Sequence, residues 1–79
     1  MLAELAEALA AARAEAFRRA AHSLKSNAST FGAATLAAMA RDLELAGVDD
    51  VGARGAQALA PVEAEYSRVA AALQALRNG

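Results

Sequence analysis

His22 is the one histidine of this chain. At 100° per residue, a helix around it places the imidazole among Arg18, Lys25, Ser26 and Ser29. Phe17, Ala20, Ala21, Leu24, Ala28 and Phe31 gather on the opposite side. His22 is therefore expected on the wet face, where a purely structural histidine has no reason to sit. A pKa of about 6.5 leaves much of an imidazole unprotonated and nucleophilic near neutral pH. With an arginine one turn behind, a lysine one turn ahead and small serines beside it, this imidazole suits an incoming anionic group better than a metal ion.

Four amphipathic stretches must position that residue. The first carries Leu2, Leu5 and Leu9 at heptad-like spacing. The second runs from about Glu15 to Thr30 and holds His22. The third, from about Ala33 to Leu45, has Leu36, Met39 and Leu43 on one stripe. The last shows Val62, Tyr66, Val69, Leu73 and Leu76 in a 4-3-4-3 pattern of bundle packing, and all five are expected in the core. Gly32 marks the turn between the second and third stretches. Gly47, followed by Asp49 and Asp50, reads as the next turn, a C-terminal glycine and then an acidic N-cap. Nothing between Ala10 and Ala16 breaks a helix outright, but the apolar stripe shifts by roughly 80° across it, which favours a short turn near Ala12–Ala14. Were that span to stay helical, the first leucines would need a second copy to cover them. Pro61 predicts a kink or a fresh helix start in the last stretch.

The bulk composition narrows the function. The chain has 79 residues, enough for a single domain, residues 1–79. There is no cysteine, so neither a disulfide framework nor a thiolate metal site exists, and one histidine is too few for a zinc centre. Net charge is −1 with no dense basic run, which argues against nucleic acid. Charges interrupt every apolar cluster, so no membrane span is expected, and Glu4 and Glu7 argue against a signal peptide; a cytoplasmic setting is the default. The hydrophobic fraction of 57% is mostly alanine, a strong helix former that buries little area. An all-α fold is expected.

The segment His22-Ser23-Leu24-Lys25-Ser26-Asn27-Ala28-Ser29-Thr30-Phe31-Gly32 closely resembles the signature of histidine-containing phosphotransfer (HPt) domains: His-x-Leu-Lys-Gly/Ser, small residues, an apolar residue, then glycine. Leu36 and the pair Leu43-Glu44 continue the resemblance into the next helix, and Phe17-Arg18-Arg19-Ala20-Ala21 resembles the family's run into its histidine. The specific likeness covers Ala14 to about Gly47. It implies an antiparallel four-helix bundle, here with a short first helix, and a phosphocarrier without kinase activity that works as a monomer, an exchange of first helices between two copies being the alternative.

On that resemblance, His22 accepts a phosphoryl group from a receiver-domain aspartate and passes it to another receiver. Lys25 counters charge on the phosphoryl oxygens. Ser26 and Ser29 stay small so that a receiver can reach the ring, although the family often has glycine at the place of Ser26. Glu44 stands where a polar residue of the third helix orients the imidazole, and Arg18 and Arg19 are candidates for receiver docking. Read alone, Arg18 and Arg19 are solvated helix charges and Glu44 an edge carboxylate. No cofactor is implied, since Mg²⁺ comes with the receiver. Two rival readings remain. The dimerisation segment of a sensor kinase prefers an acid directly after the histidine and a proline five positions on, where this chain has Ser23 and Asn27. A non-catalytic helical adaptor predicts no special chemistry at His22.

Overall fold

A computed structural model describes residues 2–55 and 57–78. It contains four helices: α1 (Leu2–Ala10), α2 (Ala14–Thr30), α3 (Ala34–Ala53) and α4 (Ala60–Asn78). Among the described residues there is no strand, and no helix is long and apolar enough to cross a membrane. The pairing of α2 with α3 is the most extensive; α1 lies against both and α4 chiefly against α3.

The alanine run between the first two stretches does turn. At the end of α1 the Arg13 N–H donates to the Ala8 carbonyl at 2.9 Å and the Ala12 N–H to Leu9 at 3.1 Å. This pair of bonds closes a helix on a left-handed residue, and Ala12 takes that conformation at φ 54°. The same device ends α2, where Ala33 donates to Ala28 at 2.8 Å and Gly32 to Ser29 at 3.1 Å, with Gly32 at φ 72°. Glycine adopts this backbone freely, whereas an alanine pays about 1 kcal/mol for it. The fold tolerates the strain at Ala12 because the turn lays α1 onto the core: Leu5 is fully buried, with Leu2 and Leu9 packed beside it.

The core is built from Leu5, Phe17, Leu24, Leu36, Leu43, Val48, Val51, Leu59 and Val62, with alanines 8, 20, 21, 28 and 40 between them. The α2 stripe is buried as its periodicity requires, except at its end. Phe31, expected in the core, is 61% exposed. It is the residue that caps α2, at φ −89° and ψ 3°, so it has already left the helix whose stripe it continues. With 9 residues against 17, α1 can run along only about half of α2. Phe31 instead borders an open apolar groove with Leu24, Ala28, Leu36, Tyr66, Val69 and Leu73.

Two further expectations are corrected. The α4 stripe is core only over its first turns: Val62 is buried, Tyr66 and Val69 are half-buried, but Leu73 is 37% and Leu76 79% exposed, because no helix among the described residues covers the outer end of α4. Gly47 is a break inside α3, not the turn that ends it. Its φ of 83° and ψ of 168° interrupt the helix, which resumes at once through Asp49 and Asp50 and buries Val48 and Val51. Arg54 ties the two parts together, donating to Asp42 at 3.0 Å and to Asp50 at 3.2 Å. The reversal toward α4 comes later, around Gly55 at φ 90°. There α4 starts afresh at Ala60, with Pro61 in its first turn, where the missing N–H costs no helical bond.

Burial sets the expected order of mutational cost. In urea melts Leu24→Ala should lose about 2–5 kcal/mol and Phe17→Ala about 3–5 kcal/mol, whereas Phe31→Ala should lose less than about 1 kcal/mol. Ala12→Gly should raise stability by about 1 kcal/mol, since it removes the left-handed strain.

Candidate functional site

Helix α3 places its apolar residues Leu36, Ala40 and Leu43 in the core. The next position, Glu44, then falls at the edge of that stripe, where α3 meets α2. On α2 the buried residues Ala21 and Leu24 bracket His22 in the same way, turning its ring outward. Buried alanines on both helices keep the two backbones close enough for short side-chain links.

Glu44 uses both of its oxygens. Oε2 lies 3.0 Å from His22 Nδ1, and Oε1 lies 3.0 Å from the Lys25 ammonium. The carboxylate is the most sheltered member of the group, its side chain 16% exposed against 31% for Lys25 and 55% for His22. The Lys25 ammonium foremost, and the His22 ring after it, hold the Glu44 carboxyl below its usual range, against an upward push from its partial burial. Glu44 is therefore ionised at neutral pH and can only accept a hydrogen bond. The proton of the bond to His22 must then sit on Nδ1; in the neutral ring this leaves Nε2 with its lone pair and, among the described residues, without a hydrogen-bond partner.

The other candidates divide. Ser26 and Ser29 are exposed, one and two turns past His22 on its face, and leave the approach to the ring open. Their neighbours bond locally: Thr30 Oγ1 donates to the Ser26 carbonyl at 3.0 Å, and Asn27 Nδ2 to the Ser23 carbonyl at 3.0 Å. Arg18 is on the His22 face but engaged with Glu15 at 2.6 Å. Arg19 is exposed on the flank toward α1, where with Glu4, Ala16 and Ser23 it borders a shallow depression, and it does not join the Glu44 group. Two features were not visible in the motif. One is that Lys25 engages Glu44; the other is the pairing of Arg18 with Glu15, whose only sequence signal is the acid three residues before an arginine. Among the described residues no His, Cys, Asp and Glu side chains group to hold a metal ion.

The family described as Hpt domain matches the chain over residues 1–79. No curated protein and no solved structure matches it.

The lowered pKa of Glu44 has a signed consequence for stability. A carboxyl held below its unfolded value of about 4.5 contributes stability that is present above that value and lost as pH falls through the folded one. Acid titration of the parent chain should therefore show a loss of stability below about pH 4.5 that is smaller in Glu44→Gln, measured by urea midpoints across the titration.

Proposed function

This chain belongs to the Hpt domain family, and from that premise we propose that His22 is its phosphoacceptor, taking a phosphoryl group from a receiver-domain aspartate and delivering it to another receiver. Membership makes the chain a phosphotransfer component of two-component phosphorelays; the residue, the partners and the chemistry below are our reading. The observation that carries it is the exposed imidazole whose Nδ1 is engaged by an anchored carboxylate while Nε2 has no partner among the described residues.

Transfer on this reading needs no general base. The Nε2 lone pair attacks phosphorus in line, the Nε2–P bond forms as the P–O bond to the aspartate breaks, and the aspartate carboxylate departs with the electron pair. The ring becomes a phosphorylated imidazolium whose Nδ1–H remains bonded to Glu44, so the carboxylate faces the positive charge as it develops. The second transfer reverses these steps. Lys25, one turn from His22, supplies positive charge beside the phosphoryl oxygens from its place on Glu44 Oε1. Mg²⁺ enters with the receiver, because the carboxylate beside His22 already has both oxygens engaged. Ser26 and Ser29 admit the receiver, and Arg18 and Arg19 offer cations to its acidic pocket.

The remaining parts of the reading follow the same line. The helices alternate in direction as an antiparallel bundle, which the short connections at Ala12 and Gly32 support. The chain acts as a monomer, since Leu2, Leu5 and Leu9 pack on its own core. It has no kinase activity of its own and works in the cytoplasm.

Two variants test the assignment. His22→Gln should abolish acid-labile phosphate uptake from a phosphorylated receiver while stability stays within about 0.5 kcal/mol of the parent, because the ring fills no cavity; continued uptake would overturn the reading in favour of another acceptor. Lys25→Ala should slow transfer by about tenfold in stopped-flow measurements and leave receiver affinity unchanged. Equal losses of rate and affinity would make Lys25 a docking residue.

A further inference from the structure

Four charged side chains surround His22 in two closed pairs: Lys25 with Glu44, and Arg18 with Glu15. With a neutral imidazole the group sums to zero. The phosphoryl oxygens bring between one and two negative charges to the face that these side chains share, offset in part by the positive charge that the ring takes on. A cation that meets those oxygens directly leaves its present partner, and the two exchanges differ in cost. If Lys25 leaves, it abandons a half-buried carboxylate that also holds the ring. If Arg18 leaves, it abandons Glu15, which is 65% exposed and readily solvated. Pairs of this exposed kind are weak.

The geometry of the second pair is that of a cation held in store. Side chains on a helix lean toward its N-terminus, so Arg18 by default points away from His22 and toward the first turn of α2. There Glu15 meets its fork, with the guanidinium Nη2 donating to Oε1 at 2.6 Å and Nε to Oε2 at 3.4 Å. Glu15 is itself favoured at that position by the helix dipole. Arg18 nonetheless stays within reach of the site: it lies four residues before His22 on the same face of α2, and the Glu44 carboxylate adds to Glu15 in strengthening its protonated form. A guanidinium fork that fits a carboxylate also fits phosphoryl oxygens.

We propose that Glu15 is a positioning residue that retains the Arg18 guanidinium in the resting chain and releases it to the phosphoryl group once His22 is phosphorylated. The proposal rests on the phosphoacceptor reading above. Arg18 then carries the exchangeable charge, and Glu15 sets how strongly it is drawn to the phosphohistidine.

The test is a double-mutant cycle on the phosphorylated full chain. Phosphoramidate serves as donor: the Nε2–P bond forms, the donor's P–N bond breaks and ammonia leaves. The measured quantity is the proton affinity of the phosphoryl group, from the pH dependence of its ³¹P resonance, in the parent, Glu15→Gln, Arg18→Gln and the double variant. Arg18→Gln should raise that affinity, because a cation favours the dianion. Glu15→Gln should lower it by about twofold, as expected from removing a weak competing partner. In the Arg18→Gln background the Glu15 effect should fall to less than half. An equal effect of Glu15→Gln in both backgrounds would overturn the proposal, since Glu15 would then act only as a distant negative charge. A parent chain showing no phosphohistidine resonance with phosphoramidate, and none with a phosphorylated receiver, would overturn the phosphoacceptor reading and this proposal with it, an outcome distinct from a resonance that is present but indifferent to Arg18.

Discussion

The arrangement of this molecule around its histidine depends on one carboxylate shared between an imidazole and an ammonium across a helix pair. Glu44 reaches His22 and Lys25 with one oxygen each, and it does so from the more sheltered side of the interface. Such sharing requires α2 and α3 to be held in fixed register at side-chain distance. The buried alanines and the leucines 24, 36 and 43 supply that register. The anchored member of the group is thus the acid, while the histidine remains exposed.

That division resolves a conflict between order and access. On the proposed reading the imidazole meets a receiver and cannot be buried, yet an unrestrained surface ring samples several rotamers and both tautomers. Here one ring nitrogen is fixed by a carboxylate seated on a packed helix, and the other is left bare. Exposed ion pairs add little to stability, so the charged network around His22 is better understood as organisation of the ring than as support for the fold. Stability comes from the apolar stripe on the far side of α2, which is why the two functions can occupy one helix.

Much of this was legible in the residues. The period of the apolar positions put His22 on the wet face and Leu36 and Leu43 in the core, and Gly32 announced a turn that the backbone makes with a left-handed residue. The equivalent turn at Ala12 was ambiguous because the residue in the left-handed position is an alanine, which carries no turn signal of its own; only the drift of the stripe betrayed it. Gly47 misled in the opposite sense. A glycine followed by two acids reads as a helix end, whereas here the helix resumes and buries Val48 and Val51. Phe31, Leu73 and Leu76 lie on correctly read stripes, but periodicity says which side of a helix is apolar and not whether another element reaches that far. The link between Lys25 and Glu44 joins residues of different helices, so no local pattern encodes it.

The tight connection at Gly32 has a consequence for motion. His22 and Glu44 are separated by 22 positions and belong to adjacent helices, so the contact closes a short loop and needs neither terminal helix to form it. The α2–α3 pairing that carries it is the most extensive in the molecule, whereas elements with sparse packing detach at low free-energy cost. The outer end of α4, with Leu73 and Leu76 uncovered, is the segment most prone to such opening. Fraying there leaves the α2–α3 hairpin intact, and the imidazole keeps its tautomer while the periphery of the molecule fluctuates.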